Sequence, residues 1–230
     1  MRKIGIVGGT GWRSTAEYYA MLCELGDAAA HDASFPGLEI VIESLNMQTA
    51  IRAIGRDGDE ASWRTFDAYH HDALARLEAA GAGVAIIASN TPHHRFASIA
   101  SGIAIPIVNL FDALAAECAR HELPRVLVLG TALTMKSPPL RSTLAAHGLE
   151  AVVPDDSGRA AIVALIGELQ SGTAVDAAAR IQAIGAGVSA VCLACTELPL
   201  AFPAQRTCST FFSGGIAFVK HACGPCEGGI

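Results

Sequence analysis

The chain has 230 residues, 51% of them hydrophobic and 17% charged, so it can bury one large core or two smaller ones and is not intrinsically disordered. Its formal net charge is −6 and it contains no long run of Lys or Arg, which argues against a nucleic-acid partner because phosphate binding needs a basic face. No apolar run is long enough to span a membrane and no signal peptide is evident, so we expect a cytoplasmic protein without a membrane partner.

The first half of the chain alternates short apolar runs with longer helical patterns. Strands are predicted over 4–7, 38–45, 83–88 and 103–108, and helices over 14–30, 60–80 and 112–121. The first strand enters a tight Gly-Gly-Thr-Gly turn at residues 8–11, and the third enters a polar Ser-Asn-Thr loop at residues 89–91. Each of these turns therefore follows the carboxyl end of a predicted strand.

The same alternation begins again in the second half. Strands are predicted over 125–129, 149–153 and 188–194, and helices over 138–147, 157–171 and 175–184. Strands that alternate with helices of ten or more residues predict parallel sheets, so the expected fold class is α/β with two pseudo-symmetric, doubly wound lobes. We expect an N-terminal lobe over 1–112, a C-terminal lobe over 113–207, and a segment over 208–230 that forms a helix returning to the N-terminal lobe and a tail.

A repeated sequence motif occurs once in each of the two predicted lobes. Residues 81–91 read Gly-Ala-Gly-Val, an apolar run and Ala-Ser-Asn-Thr, and residues 185–197 read Gly-Ala-Gly-Val, an apolar run and Ala-Cys-Thr-Glu. Each copy of the motif predicts a buried strand followed by a loop that begins with a small nucleophilic residue, Ser89 or Cys195. Ligands of parallel sheets bind beyond the carboxyl ends of the strands. We therefore expect both residues to face one cleft between the lobes, together with Thr10 and Thr131.

The two nucleophiles differ in acidity. Loop N–H groups around Cys195 are expected to lower the pKa of its thiol and make a reactive thiolate, the alternative being a buried structural cysteine. A serine hydroxyl ionises far above neutral pH, so Ser89 is a poor base, although it can deliver a proton or relay one through water. Only the second lobe is therefore predicted to carry a competent base.

Three further polar residues are candidates for the cleft. Arg159 begins a predicted helix, where the helix dipole disfavours a cation, and carboxylate binding would explain its position. Gln48 follows the strand over 38–45 and is a plausible neighbour of the same ligand, while both residues could equally be solvated at the surface. His93 either lines the cleft or stabilises its loop by a hydrogen bond.

Neither a cofactor nor a metal ion is expected. The turn at 8–11 lacks the glycine spacing of a dinucleotide site because position 14 is Ser. The Cys-Gly-Pro-Cys segment at 223–226 lacks the following helix of a thioredoxin motif. A zinc site built from it with Cys192 and Cys195 is disfavoured, because these two cysteines point to opposite faces of a strand.

Several segments together resemble the aspartate/glutamate racemase superfamily and, within it, the aspartate racemases. The matching segments are residues 4–10 with 14–15 and 18–19, 88–93, 129–131 with 134–135, 153–155, and 195–199. The resemblance implies a cofactor-independent racemase with two pseudo-symmetric lobes and an active site in the cleft between them. It also implies an acidic amino acid, aspartate or glutamate, as the small-molecule partner, and a homodimer.

The resemblance also implies roles for individual residues. Family members hold the substrate Cα between two cysteines, one from each lobe; Cys195 matches one of them and Ser89 stands where the other is expected. Some members that prefer an L-amino acid resemble this chain in carrying a hydroxyl residue there. Glu197 would assist the thiol or bind the substrate ammonium. The substrate-binding positions implied by the resemblance are Thr10, Gln48, Asn90, Thr91, Thr131, Arg159, Thr196 and Glu197.

Two other functions remain open at the level of sequence. Relatives with a single cysteine include decarboxylases of malonates, which protonate one face only. The second alternative is a dicarboxylate-binding protein without activity, because residues 206–213 lack the Asp and His that family members usually carry before the last helix.

Overall fold

The computed structural model describes residues 2–29, 37–120, 123–188, 190–202, 211–212 and 216–219. The chain divides into two units: Met1–Ala113 forms nearly all of the first, and Leu114–Phe212 with Ile216–Ile230 forms the second. Each unit contains a sheet with parallel strands and flanking helices, which confirms the predicted α/β fold class. In the described part of the chain, no helix is both long and apolar enough to cross a membrane.

The first unit is built on a four-stranded parallel sheet. Its strands are β1 (Ile4–Gly8), β2 (Ile40–Ser44), β3 (Val84–Ile87) and β4 (Ile107–Val108), and its helices are α1 (Trp12–Ala29), α2 (Met47–Arg52), α3 (Arg64–Ala79), α4 (Phe96–Ile99) and the start of α5 (Leu110–Arg120). Two short 3₁₀ helices also belong to this unit: Glu60–Trp63 begins the helix expected over 60–80, and Thr91–Arg95 was not expected from the sequence. The strand order is β2-β1-β3-β4. A Cβ at Gly5 would lie 3.0 Å from the Leu77 side chain, so the glycine lets α3 pack close to β1.

The second unit repeats this plan and adds an antiparallel edge. Its strands are β5 (Arg125–Gly130), β6 (Glu150–Val152), β7 (Val191–Ala194), β8 (Phe211–Phe212) and β9 (Ile216–Val219), and its helices are α6 (Ala132–Lys136), α7 (Pro138–Ala146), α8 (Asp156–Ser171) and α9 (Ala177–Ile184). The order is β6-β5-β7-β9-β8. Strands β6 and β7 run parallel to β5, whereas β9 is antiparallel to both β7 and β8.

The repeat predicted from the sequence is present in the strand order. Strand β1 lies between β2 and β3, and β5 lies between β6 and β7. In each sheet the chain leaves the central strand towards one side and later returns on the other. Ligands of open parallel sheets bind at this reversal, beyond the carboxyl ends of the two strands concerned. The reversal points are the ends of β1 and β3 in the first unit and of β5 and β7 in the second.

The predicted C-terminal segment is described only in part. A helix was expected within 208–230, but the described parts of that segment are the strands β8 and β9. Residues 216–219 read Ile-Ala-Phe-Val, and a short apolar run of this kind can form either a strand or a buried helix. The segment forms a strand because pairing of Val219 with Val191 gives the backbone of β7 a hydrogen-bonded neighbour. The other residues of the predicted segment lie outside the described ranges.

Candidate active site

The turn after β1 is held rigidly at the end of the first sheet. Gly9 has φ +85°, and a Cβ there would lie 2.1 Å from the Leu45 carbonyl oxygen, so only glycine fits. The Thr15 hydroxyl accepts from the Gly9 N–H at 2.9 Å and donates to the Gly11 carbonyl at 3.2 Å. Thr10, at the tip of this turn, is partly exposed. The turn thus presents a hydroxyl and backbone groups on a fixed frame.

The Ser89 loop follows the neighbouring strand β3. Ser89 is half-buried, whereas Asn90 is only 5% exposed. Neither the oxygen nor the nitrogen of the Asn90 side-chain amide has a hydrogen-bond partner within the described residues. A buried polar group left unpaired costs about 1–3 kcal/mol, so this amide favours a polar ligand or a bound water. Thr91 begins the next 3₁₀ helix and is partly exposed.

His93 stabilises this loop and does not titrate near neutral pH. Its Nδ1 accepts from the Leu110 N–H at 3.4 Å, and its Nε2 donates to the Ile87 carbonyl at 3.5 Å, so both ring nitrogens contact backbone. Burial lowers the pKa of His93 to about 4 because the charged form would lose its hydration. Of the two roles considered for His93, the structure supports the loop-stabilising hydrogen bond.

An ion cluster fastens the 3₁₀ helix Thr91–Arg95 to the start of α3. The Arg95 guanidinium donates to the Asp67 carboxylate at 2.8 Å and to Glu60 at 3.0 Å, and it lies 5.5 Å from the centre of the Trp63 ring. Hydrogen bonds from Arg95 lower the pKa of the Glu60 carboxyl. The segment after Ser89 is therefore held at both ends, by β3 and by α3.

The second unit places Thr131 and Cys195 side by side. Gly130 pairs with Ala194 in the parallel ladder, so Thr131 and Cys195 are the first residues beyond two neighbouring strand ends. A Cβ at Gly130 would lie 2.7 Å from the Ala194 carbonyl oxygen, which shows how closely the strand ends approach. The Thr131 hydroxyl accepts from the Thr134 N–H at 3.2 Å and caps α6.

Cys195 contacts a carboxylate in a buried loop. Its thiol donates to Glu197 Oε2 at 3.0 Å, and the Thr196 hydroxyl donates to the same oxygen at 3.2 Å. All three residues are nearly inaccessible to solvent, with exposed fractions of 5–6%. Burial, and then the charge of Glu197, raise the pKa of the Cys195 thiol well above its usual value, against smaller opposing hydrogen bonds from the Thr196 and Glu197 N–H groups. The net direction is opposite to the expected lowering, because burial outweighs the loop N–H groups and favours the protonated thiol.

The candidate residues Arg159 and Gln48 lie on the helices α8 and α2, which follow the strands β6 and β2. Arg159, in the first turn of α8, donates to the Pro154 carbonyl at 2.8 Å and forms an ion pair with Asp156. It lines a recess between α6 and α8 together with Lys136. Gln48 is exposed in the first turn of α2, after the end of β2. Among the described residues, Arg159 forms no hydrogen bond with Cys195, and Gln48 forms none with Ser89.

The model of the Asp/Glu/hydantoin racemase family matches residues 7–222. The chain belongs to this family. The match confirms the resemblance inferred from the sequence motifs.

Solved structures of racemase relatives share the fold. An aspartate racemase homologue from Pyrococcus horikoshii is 32% identical over 89% of each chain, with a TM-score of 0.72. A candidate Asp/Glu racemase from Yersinia pestis is 26% identical over 89% of this chain and 90% of its own, with a TM-score of 0.75. The Picrophilus torridus aspartate racemase shares the fold at 23% identity, covering 86% of this chain and 83% of its own, with a TM-score of 0.68.

Sequence reasoning missed three residues of this racemase family member. Thr15 had been noted as part of a helix start and of a segment that resembles the family, but its role in holding the Gly9 turn had not been predicted. Lys136 had no motif around it, and only the fold brings it to the recess that contains Arg159. His70 is 1% exposed and donates from Nδ1 to the Phe66 carbonyl, while its Nε2 has no partner in the described part of the chain.

Metal and redox readings of the cysteines gain no support from the described residues. Within those ranges, no three His, Cys, Asp or Glu side chains are close enough to hold a metal ion. Cys192 is fully buried in β7, and burial raises the pKa of its thiol. Cys223 and Cys226 lie outside the described residues, as does most of the segment 206–213 in which the family's Asp and His are replaced.

Proposed function

We propose that this chain is a cofactor-independent amino-acid racemase that acts on aspartate or glutamate. The proposal is carried by the hydrogen-bonded Cys195–Glu197 pair at a strand end, in a chain that the racemase family model matches over residues 7–222. An acidic substrate is favoured because the Pyrococcus horikoshii relative is named as an aspartate racemase homologue and the Yersinia pestis relative as a candidate Asp/Glu racemase.

The first requirement of the reaction is to stabilise charge on the substrate carboxylate. The α-proton of an amino acid is weakly acidic, so its removal develops enediolate-like charge on that carboxylate. Hydroxyl groups of Thr131 and Thr196 and the unpaired amide of Asn90 are the polar groups available at the strand ends. We assign them to this task, with Thr10 and Thr91 as further hydrogen-bonding groups.

The second requirement is a base on one face of Cα. In the proposed step, Glu197 takes the thiol proton of Cys195, and the resulting thiolate removes the α-proton. Cys195 then carries the substrate proton, and Glu197 releases the former thiol proton to solvent. The short Sγ–Oε2 distance of 3.0 Å supports this transfer because the proton needs no intervening carrier.

The third requirement is a proton for the opposite face. We assign its delivery to the Ser89 hydroxyl or a water held by it, with the hydroxyl proton replenished from solvent. One solvent proton enters and one leaves in each inversion, so the proton balance is zero. Since a serine hydroxyl is a much weaker acid and base than a thiol, the Ser89 face is expected to limit inversion.

An asymmetric pair of groups predicts asymmetric proton exchange. The equilibrium constant between enantiomers is unity, so the two directions of net racemisation have equal kcat/KM. The enantiomer whose α-proton faces Cys195 is nevertheless expected to exchange that proton with solvent faster than it inverts, because the thiol exchanges through Glu197. The other enantiomer must first lose its proton to the Ser89 side.

The test follows α-proton exchange in D₂O by proton NMR, with both enantiomers of aspartate and glutamate. Cys195→Ala is expected to lose at least about 10³-fold of the exchange rate, since it removes the base. Ser89→Cys is expected to raise exchange of the slower enantiomer by about 10²-fold, with the exposed Ser98→Cys as its matched control. Full exchange by Cys195→Ala would falsify the role of the thiol. Calorimetric binding of aspartate without exchange by the wild type would instead identify a binding protein.

A further inference from the structure

A recess on the second unit lies between α6 and α8. Its volume is about 440 Å³, within the range of small-molecule sites. The walls are apolar and include Met135, Val163 and three alanines, and the two charged lining residues are Lys136 and Arg159. A recess with apolar walls and two cationic side chains suits an organic anion whose charged group is carried on a chain of methylene groups.

The two cations of the recess are not equivalent. Arg159 already forms an ion pair with Asp156 and donates to the Pro154 carbonyl. No ion pair of Lys136 with a carboxylate is recorded among the residues that the structure describes. Lys136 is therefore the cation whose charge a ligand carboxylate would neutralise. The charge of Arg159 is already partly neutralised by Asp156 in the same turn of α8.

One helix that lines the recess begins at the end of β5, beside the strand that carries the thiol. Helix α6 begins directly after Thr131, which is the neighbour of Cys195 beyond the paired ends of β5 and β7. Met135 lines the recess and belongs to the same hydrophobic cluster as Cys195. A substrate bound at Thr131 thus has a cationic, apolar-walled recess along the following helix.

We infer that Lys136 is a specificity-determining residue that binds the distal carboxylate of the substrate and favours side chains longer than that of aspartate. The inference rests on the proposed racemase function. Glutamate has one side-chain methylene more than aspartate and 2-aminoadipate has two more, and each additional buried methylene strengthens binding by about fourfold. The recess therefore selects glutamate or 2-aminoadipate over aspartate.

The kinetic test compares L-aspartate, L-glutamate and L-2-aminoadipate in the α-proton exchange assay. Lys136→Met keeps the length of the side chain and removes its charge, and it is expected to raise KM for the two longer acids by about tenfold, with a smaller change in kcat. Lys136→Arg should restore KM to within about threefold. The matched control is Lys3→Met, because Lys3 contacts the Ala80 carbonyl in the first unit.

A binding measurement separates this inference from the proposed function. Glutarate carries two carboxylates but no α-amino group, so its affinity, measured by calorimetry, does not depend on catalysis. Suppose that wild type binds glutarate, that Lys136→Met does not, and that no substrate exchanges its α-proton. Carboxylate binding by Lys136 in the recess is then supported, and the racemase proposal fails. If substrates exchange and Lys136→Met behaves like Lys3→Met in both assays, or if aspartate has the lowest KM, the inference is overturned while the racemase remains.

Discussion

Glu197 governs the protonation state of Cys195 at the scale of single residues. A thiol in water loses its proton near pH 8.5, but burial and the adjacent carboxylate raise the pKa of Cys195 well above that value. The same carboxylate lies 3.0 Å from the thiol and can receive its proton. Glu197 therefore adds to burial in suppressing the resting thiolate, and it provides the route by which the thiolate forms when substrate is bound.

Replacing Glu197 with Gln should separate these two effects. The pKa of Cys195 should fall because Gln carries no charge, so alkylation by iodoacetamide at pH 8 should become several-fold faster. Racemisation should nevertheless fall by about 10²-fold, since Gln cannot accept the thiol proton. Alkylation is followed by mass spectrometry of the Cys195 peptide.

Glu168→Gln is the matched control for this experiment. Glu168 forms an ion pair with Arg180 on the same unit, with about a third of each side chain exposed. Its substitution should change neither rate. Slower alkylation of Glu197→Gln than of wild type would contradict the role of the Glu197 charge in raising the pKa of the thiol.

The 3₁₀ helix Thr91–Arg95 shows how one short element fixes a reactive loop. Five residues cannot form a stable helix by local bonds alone, so other elements must hold this one in place. His93 connects it to β3 and to the start of α5, and Arg95 connects it to Asp67 on α3. The position of Ser89 thus depends on contacts of residues that have no part in the chemistry.

Acid should loosen this element before it unfolds the protein. The pKa of His93 is about 4 in the folded state against 6.5 as the ordinary value, so the unfolded chain takes up protons first as the pH falls. Stabilisation by neutral His93 is complete above pH 6.5 and is lost between pH 6.5 and 4, amounting to about 3 kcal/mol. Urea unfolding at several pH values between 4 and 7 measures this loss.

His93→Gln should flatten the dependence of unfolding free energy on pH, because glutamine keeps a hydrogen-bonding side chain but does not titrate. The matched control is His147→Gln, which replaces an exposed histidine of the second unit. Equal slopes for His93→Gln and wild type would show that His93 is not the group that takes up protons on acid unfolding.

At the scale of the whole molecule, alkali is expected to destabilise the second unit more than the first. Burial raises the pKa of Cys118 to about 12 and that of Cys192 and Cys195 well above the ordinary 9.0, and all three belong to the second unit. The unfolded chain therefore releases protons first as the pH rises. The stabilisation is complete below pH 9 and falls above it, by about 1.4 kcal/mol per pH unit for each thiol.

Hydrogen exchange at pH 7.5 and 10.5, corrected for the intrinsic pH dependence, measures this asymmetry. Amides of the second unit should lose protection earlier than those of the first. Cys118→Ala should reduce the pH dependence, although its stability at pH 7.5 also falls because the substitution leaves a cavity. Cys23→Ala, in the first unit, is the control. Equal loss of protection in both units would contradict the expectation.

Much of the fold could be predicted because each unit repeats a periodic pattern. The strands that precede Ser89 and Cys195 were located within a few residues, since apolar runs bounded by glycine are strong local signals. The helix expected within 208–230 was not found at β8 and β9, because local apolarity does not distinguish the two structures. Pairing with β7, a tertiary contact, determines the outcome there.

The chemistry of the site was less predictable than its location. Loop N–H groups near Cys195 could be inferred from the sequence, but the burial that outweighs them could not. The ion pair between Asp156 and Arg159 could have been predicted from their i,i+3 spacing. The approach of Lys136 to the recess that Arg159 lines could not, because it depends on how α6 packs against α8. The homodimer and the cytoplasmic location stay predictions.

The strand order also sets the sequence of events as a ribosome produces the chain. The first sheet has all its strands once Ile107–Val108 has been made, but β7 acquires its neighbour β9 only after Ile216–Val219. During that interval the edge of β7 exposes unpaired N–H and C=O groups, which can pair with another nascent chain. The edge of β7 should therefore need protection from other chains from the time it leaves the ribosome until β9 has paired with it.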